Sequence, residues 1–384
     1  PREAMRQMVD KLTALEVAQA AGAPLVPGSG TLDDVPAAEQ AASKIGYPVL
    51  LKAAAGGGGK GMRVVERAGE LSSAFERARS EAQRSFGNPQ VYLEKYVKRA
   101  KHIEIQVFSD GHGNHLWLGE RECSVQRRHQ KLIEESPSAA LTDAVRREMG
   151  EAAAALARGC DYRGAGTVEF LYDVEAEAFY FLEMNTRRQV EHPVTELVTG
   201  LDLVEWQLLV AAGKALPRTQ KQVKPRGVAI ECRLYAEDPV AFLPETGRLR
   251  VFCPPQGEGL RLDAGVAQGD AVGAFYDPLL AKFIGFGSDR TQAIARMAEG
   301  LDRFAVAGVV TNLAYHRAVM DEPDFQAGAH LTDYVETHPF DLSPTPDEVR
   351  ALAPALAALA RRREQRLVAA LGAGPDGWPE GGGF

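Results

Sequence analysis

The segment Glu183-Met184-Asn185-Thr186-Arg187-Arg188-Gln189-Val190-Glu191-His192 decides how this chain is read. Carboxylates, a side-chain amide, guanidinium groups and a histidine lie within ten positions, directly after the apolar run Phe179-Tyr180-Phe181-Leu182. Oxygen-rich side chains at this density suit a hard cation and a phosphate-bearing ligand better than a packed core. Magnesium takes carboxylate and carbonyl-type oxygens and shares them with nucleotide phosphates. Arginine matches a planar oxyanion edge-on. Upstream, Gly166-Thr167-Val168-Glu169-Phe170-Leu171-Tyr172 alternates, which puts Glu169 and Leu171 on one strand face. The two strands read as a hairpin across the acidic turn 173–178, with Glu169 and Glu183 side by side. Adjacent carboxylates repel unless something positive lies between them. A bound divalent ion is therefore expected, in preference to a merely charged surface loop.

Composition bounds the rest. A chain of 384 residues with 45% hydrophobic content supports two or three domains and a sizeable core. A net charge of -8 argues against a nucleic-acid-binding surface. No apolar stretch approaches the roughly 20 residues of a membrane span. Residues 1–11 are charged and lack the apolar centre of a secretory leader; a chain starting at Pro1 reads as a processed product or a fragment. Cys123, Cys160, Cys232 and Cys253 form no C-x-x-C pair, so they read as packing residues in a reducing, cytoplasmic compartment.

The order of elements predicts an α+β chain. Residues 1–22 read as one helix ending at Gly22. A small unit follows over 26–97, with helices at 35–45 and 69–86 and strands at 48–53, 62–65 and 91–96. A larger unit opens with a hairpin at 102–120, a helix at 142–159 and the glutamate hairpin. It continues with a helix at 202–212, strands at 228–235 and 248–253, and a helix at 289–304. Beyond 341 a linker leads to an Ala/Leu/Arg helix at 347–371 and a Gly/Pro-rich tail.

Glycines 56–59 and Gly61 surround Lys60 between two predicted strands, four residues after Lys52. Glycine backbone N–H groups approach phosphate closely. No Ser or Thr follows Lys60, so this is not a P-loop; it reads as a flap over phosphates, with Lys52 as a point charge. Local sequence leaves Lys11 open. The run Glu94-Lys95-Tyr96-Val97 ends a strand, and a nucleotide there would use its backbone for the adenine edge and Glu94 for ribose hydroxyls. The basic run 126–131 reads either as a solvated loop or as a gatherer of anions opposite the carboxylates.

Taken together the motifs resemble the biotin carboxylase family of the ATP-grasp superfamily, over roughly residues 11–336. The specific pieces are 52–65 (K-A-A-A-G-G-G-G-K-G-M-R-V-V), 120–131 (E-R-E-C-S-V-Q-R-R-H-Q-K), 164–170 (G-A-G-T-V-E-F), 183–196 (E-M-N-T-R-R-Q-V-E-H-P-V-T-E) and 230–239 (I-E-C-R-L-Y-A-E-D-P). The resemblance implies an ATP-grasp fold with a small lid domain (26–97) and a larger mixed or antiparallel-sheet C-terminal domain (98–338). Connecting helices (1–25) would precede these, and a linker helix and disordered tail (339–384) would follow. It implies that Lys11, Lys52, Gly58 and Gly59 hold ATP phosphates, and that Glu94, Lys95, Tyr96, Val97, His102, Gln126, His129 and Leu171 form the nucleotide pocket. Glu169, Glu183 and Asn185 would bind Mg2+ (or Mn2+). Lys131, Arg187, Gln189 and Val190 would hold bicarbonate, Glu191 would be its general base, and Arg261 would face the ureido oxygen of biotin.

The implied activity is ATP-dependent carboxylation of biotin through carboxyphosphate, the first half-reaction of an acyl-CoA carboxylase. No Met-Lys-Met biotinylation site is present, so biotin is expected on another domain or chain. A biotin carboxyl carrier domain and a carboxyltransferase subunit are the implied partners; a homo-oligomer is compatible, and neither nucleic acid nor membrane is expected. Two departures stand out: Arg188 occupies a usually apolar position, and Val9 a usual glycine. The Rossmann-like N-terminal domain of the family is also expected to be absent. The rival readings are another ATP-grasp carboxylate–amine ligase, which leaves Arg261 and the 126–131 run unexplained, and a non-catalytic nucleotide-binding module.

Overall fold

A computed structural model describes residues 1–54, 62–128, 130–342 and 362. The expected flap glycines Gly58 and Gly59, His129 and the 347–371 helix lie outside the described residues. The chain divides into the units Pro1–Phe340 and Asp341–Phe384.

The helices of the first unit are α1 (Arg2–Val9), α2 (Lys11–Ala20), α3 (Val35–Ile45), α4 (Ala68–Phe86), α5 (Asp143–Gly159), α6 (His192–Thr199), α7 (Leu203–Ala211), α8 (Arg290–Arg303), α9 (Leu313–Asp321), α10 (Pro323–Gln326) and α11 (Tyr334–Thr337). Its early strands are β1 (Val49–Ala53), β2 (Arg63–Val65), β3 (Val91–Lys95), β4 (Ala100–Ser109), β5 (His115–Arg127), β6 (Gln130–Ser136), β7 (Gly164–Asp173) and β8 (Ala178–Asn185). The later ones are β9 (Val228–Tyr235), β10 (Gly247–Arg248), β11 (Val251–Cys253), β12 (Leu260–Ala264), β13 (Ala271–Val272), β14 (Leu279–Gly287) and β15 (Ala305–Ala307).

The small sheet has order β2-β1-β3. Val49, Leu51 and Ala53 alternate inward on β1, and α4 covers them with Leu71, Ala74, Phe75, Ala78 and Ala82. That spacing of three and four residues lines one helical face. Gly87, at φ 69°, closes α4 in the left-handed region that a side chain disfavours. The segment that carries the glycine run joins β1 to β2, which pair antiparallel.

The large sheet is eight-stranded and antiparallel throughout, in the order β12-β14-β9-β6-β5-β4-β7-β8. Helix α5 packs on β4 and β5 with Met149, Ala153, Leu156 and Ala157. At Gly150 a Cβ would fall 2.3 Å from the Trp117 ring, so only glycine lets helix and strand approach here. Every residue of β4 is buried, because both faces of the sheet are covered there.

Two expectations are corrected and a third, left open above, is narrowed. The helix predicted over 1–22 is broken at Asp10, whose backbone is extended (φ −78°, ψ 117°) and whose carboxylate accepts from Thr13 N at 2.9 Å. An aspartate that caps a new helix ends the old one. The strand predicted at 248–253 is two short strands, β10 pairing with β13 and β11 with β15. The basic run 126–131 spans a hairpin between β5 and β6, with Arg128 at φ 48° in the turn.

Behind the sheet, buried polar groups fasten the C-terminal part of this unit. Lys101 of β4 pairs with Glu122 of β5 and donates to the carbonyls of Gly328 (2.9 Å) and His330 (2.6 Å). His330 Nε2 lies 2.9 Å from Glu122, and Arg290 of α8 binds Glu135 of β6 at 2.7 Å. Removing one partner of a buried pair leaves the other charge uncompensated, at about 3–5 kcal/mol. Lys101→Met is therefore expected to lower the unfolding free energy by about that amount in chemical denaturation; a change under about 1 kcal/mol would show that the pair is not holding the fold.

Candidate active site

Antiparallel register assembles a row of charges across one face of the large sheet. Glu183 lies opposite Glu169, Glu169 opposite Glu104, and Glu104 opposite Arg121. Further along, Glu134 faces Glu231, Arg233 faces Lys282, and Lys282 faces Asp263. Residues directly opposite one another point to the same side, so acids and bases from strands distant in sequence meet.

Lys131 holds the centre. Its ammonium donates to Glu104, to Glu169 Oε1 at 3.0 Å and to Glu191 Oε1 at 2.8 Å. Burial alone would depress this lysine, but Glu104 and Glu191 hold it well above its ordinary value. Arg121, fully buried, donates to Glu104, to Gln106 at 2.7 Å and to Thr195 at 2.9 Å. His102 Nε2 lies 3.1 Å from Glu169; burial works against the imidazolium, and Glu169 more than offsets it, so the ring is raised.

Glu191 precedes α6, and its side chain does not cap that helix. It sits between Lys131 and Arg233, whose Nη2 is 3.0 Å from its Oε2. Burial pushes this carboxyl up, but Lys131, Arg233 and Arg121 together hold it well below 4.5. The next residue, His192, is neutral: burial, Lys282 and Arg188 push it down to about 3. Its Nδ1 lies 3.0 Å from Gln189 O and its Nε2 2.8 Å from Arg188 Nη1. Arg188 thus takes a polar partner where an apolar residue was expected. Arg187 donates to Gln189 Oε1 at 2.6 Å, Gln189 Nε2 reaches Glu169 at 3.3 Å, and Val190 O accepts from Lys282 at 2.9 Å. The segment 187–191 is therefore tied to the row at several points.

At the hairpin end, Asn185 donates to Glu169 at 2.9 Å and to Glu183 at 3.3 Å. Glu183 is exposed. Two carboxylates drawn together on one side-chain amide fit a hard cation once that amide turns its oxygen, in place of its NH2 group, toward them. His102, Glu104 and Glu169 also approach one another, but Lys131 already supplies the positive charge between Glu104 and Glu169.

From the small sheet, Lys52 of β1 pairs with Glu94 of β3. Lys11 opens α2 and lies within electrostatic reach of Lys52, Glu183 and Glu94; burial and then Lys52 lower it. Leu171 stands opposite His102 in β4 and Tyr180 in β8, and Gln126 opposite Lys131. The Lys95 ammonium turns to Gly46 O (2.9 Å) and Tyr47 O (3.0 Å), and Tyr96 N donates to Pro48 O at 3.1 Å. Lys95, Tyr96 and Val97 line a cleft of about 230 Å³ with Pro27, Asp173 and Tyr180.

Arg261 is not placed against Glu191. It forms a two-pronged pair with Asp263 (2.8 and 3.0 Å) on its own strand and binds Glu196 at 2.8 Å. The arginine at Glu191 is Arg233, which reading by segment missed along with Glu104 and Arg121. Signals existed: Glu231, Arg233 and Tyr235 alternate within the 230–239 motif, and His102, Glu104 and Gln106 alternate with Ile103, Ile105 and Val107. Polar residues at every second position of a buried strand mark a functional face. Of the basic run, Lys131 points into the site, whereas Arg127 lies over the Phe242 ring at 4.4 Å and reaches Glu237 at 3.4 Å.

The lysines, flanking sheets and carboxylate hairpin define an ATP-grasp protein. Residues 10–219 match the ATP-binding domain of the carbamoyl-phosphate synthase L chain, and residues 231–337 match the biotin carboxylase C-terminal domain. Biotin carboxylase 1 of Bacillus subtilis is 46% identical over 88% of this chain and 75% of its own length. The propionyl-CoA carboxylase alpha chain of Ruegeria pomeroyi is 46% identical over 95% of this chain, which spans 57% of that relative. The biotin carboxylase domain dimer of Hydrogenobacter thermophilus 2-oxoglutarate carboxylase was solved with MgADP, ADP and bicarbonate. It superposes with a TM-score of 0.83 at 43% identity, over 88% of this chain and 75% of that one. The chain belongs to the biotin carboxylase family.

A depressed carboxyl stabilises the fold above its unfolded value, and that stability is lost as pH falls. For Glu191 the loss begins near 4.5 and continues below it. Denaturation midpoints of the native chain should fall on acidification through this window, and those of Glu191→Gln should fall less. Identical slopes for the two would show that Glu191 is not held ionised by its neighbours.

Proposed function

We propose that this chain carboxylates biotin with bicarbonate at the expense of ATP, as the first half-reaction of an acyl-CoA carboxylase. The observation that carries this reading is Glu191 clamped between Lys131 and Arg233, beside the Glu169–Glu183 hairpin. A carboxylate so stabilised is a weak base. An incoming anion that drew Lys131 and Arg233 onto itself would strip Glu191 of the cations bonded to it and raise its proton affinity toward that of a useful base.

Glu191 takes the bicarbonate proton, and the resulting oxyanion attacks the γ-phosphorus of ATP, with ADP leaving. Lys11 and Lys52 offset phosphate charge, and Glu169, Glu183 and Asn185 would hold Mg2+, which supplies further neutralisation of the transferring phosphoryl group. The nucleotide base and ribose are assigned to Glu94, Lys95, Tyr96, Val97, His102, Gln126, His129 and Leu171. Carboxyphosphate gives CO2 and phosphate. Phosphate takes the N1′ proton of biotin, and that nitrogen adds to CO2. Arg233 is assigned to the ureido oxygen, in place of Arg261, because it already lies at Glu191. Lys131, Arg187, Gln189 and Val190 hold the one-carbon anion.

In this reading residues 26–97 are the lid, 98–338 the body, 1–25 connecting helices and 339–384 a linker and tail. Gly58 and Gly59 are assigned to the lid's phosphate contact by sequence. Biotin arrives on a carrier domain of another segment or chain, and a carboxyltransferase takes the product. Oligomerisation is proposed by likeness to the dimeric domain above. The free thiols of Cys123, Cys160, Cys232 and Cys253 favour a reducing, cytoplasmic setting, and among the described residues no helix is long and apolar enough to cross a membrane.

Phosphate release from MgATP should require bicarbonate and rise with free biotin. Arg233→Gln should lower the biotin-dependent rate about 100-fold, the scale of one oxyanion-stabilising donor, and Arg261→Gln less than about tenfold. The reverse order would return the ureido role to Arg261. Release that is stimulated by an amine instead of biotin would favour a carboxylate–amine ligase.

A further inference from the structure

A second pair of acids lies behind the Glu191–Arg233 contact, and the steps above do not use it. Glu134 of β6 and Glu231 of β9 face each other in register, and both are 0% exposed. Directly opposed residues in an antiparallel pair have Cβ atoms about 5 Å apart. Glu231 and Arg233, two apart on β9, share a face. Arg233 Nε donates to Glu134 Oε1. Among the described residues, Glu134 Oε2 and both Glu231 oxygens have no hydrogen-bond partner. Two ionised carboxylates so fully buried would repel each other in a medium of low dielectric.

The surrounding charges do not remove the conflict. Lys131 stands on the same strand as Glu134, Arg233 and Cys232 on β9, Lys282 on β14, Arg121 and Cys123 on β5, and Glu191 and His192 where α6 begins. Helix α8 turns Ala293, Ile294 and Met297 inward. Lys131 and Arg121 are already committed to Glu104, and Lys282 to Val190 and Asp263. Among the described residues only Arg233 hydrogen-bonds to the pair, and it also serves Glu191. Burial pushes the Glu134 carboxyl up to about 7, and burial and then Glu134 raise Glu231 well above the usual range.

We propose that Glu134 and Glu231 hold one proton between them, and that this singly charged pair is the positioning element that aims Arg233 at Glu191. The functional half of this inference rests on the roles assigned above to Arg233 and Glu191. A doubly charged pair would draw the guanidinium back toward β6 and away from Glu191. A neutral pair would leave its Nε edge without a counter-charge. With one negative charge on each side, the Nε edge is held by Glu134 and Nη2 remains directed at Glu191.

The test begins with the chain itself and needs no turnover. Infrared spectra should show a buried protonated-carboxyl stretch that persists above pH 6 in the native chain and disappears in Glu231→Gln. No such band, or an equal band in Glu231→Gln, overturns the shared proton. The folded chain keeps a proton that the unfolded chain releases near 4.5, so the pair's contribution to stability falls as pH rises from there through neutrality. Denaturation midpoints should show a smaller fall over that window in Glu231→Gln than in the native chain; equal falls count against the proposal. In the assembled carboxylase, Glu134→Gln should raise the bicarbonate KM about tenfold, the loss of one charge-assisted bond to the arginine. Glu134→Asp should recover part of that loss. The native rate should fall on the alkaline side as the pair loses its shared proton, and Glu231→Gln should remove that alkaline limb. An unchanged KM in Glu134→Gln, or an alkaline limb retained in Glu231→Gln, overturns the positioning role while leaving the spectroscopic result standing. Absence of biotin-dependent turnover in the native assembly would instead remove the functional reading and leave the shared proton to the spectra.

Discussion

One ammonium group among three carboxylates organises this protein. Lys131 meets Glu104, Glu169 and Glu191 on β4, β7 and the approach to α6. Without it, those three elements would bring like charges into a buried space, which the low local dielectric makes costly. With it, the same carboxylates become a rigid frame of known charge. The sheet can then be both the core of the molecule and the floor of its site. Its hydrophobic side chains pack against α5, and its alternate positions carry acids and bases.

A frame of this kind explains why the site can respond to anions. Each cation is shared between acids, so an incoming anion competes for it and changes the proton affinity of the acid left behind. Glu191 is the residue most exposed to that exchange, because both of its partners, Lys131 and Arg233, have other carboxylates to serve. Arg188 and His192 do a different job. They tie the Gln189 carbonyl to α6 by a neutral imidazole, which adds no charge to a site already dense with them.

Local alternation was enough to place Glu169 opposite Glu183, since a hairpin across a short turn leaves little freedom of register. The small sheet, α3, α4 and α5 were legible for the same reason: each has one clean apolar period. Pairing at long separation could not be read. Glu104 meets Glu169, and Glu134 meets Glu231, only because β7 and β9 insert where they do in the strand order. Arg261 illustrates the limit: it lies in a strand of the right region, but Asp263 two positions on was the local sign that its guanidinium is spoken for. The break at Asp10 was missed because the apolar pattern runs on through it, whereas the backbone obeys the cap.

Lys101 and His102 are neighbours on β4 whose side chains leave the sheet on opposite sides, one gripping the carbonyls of Gly328 and His330, the other meeting Glu169. The strand is thus a short lever with its two arms one residue apart. The segment that follows α10 is anchored to the sheet through Lys101. Anchorage of the C-terminal part and placement of an acid-cluster residue therefore fall on one stretch of backbone with no loop between them.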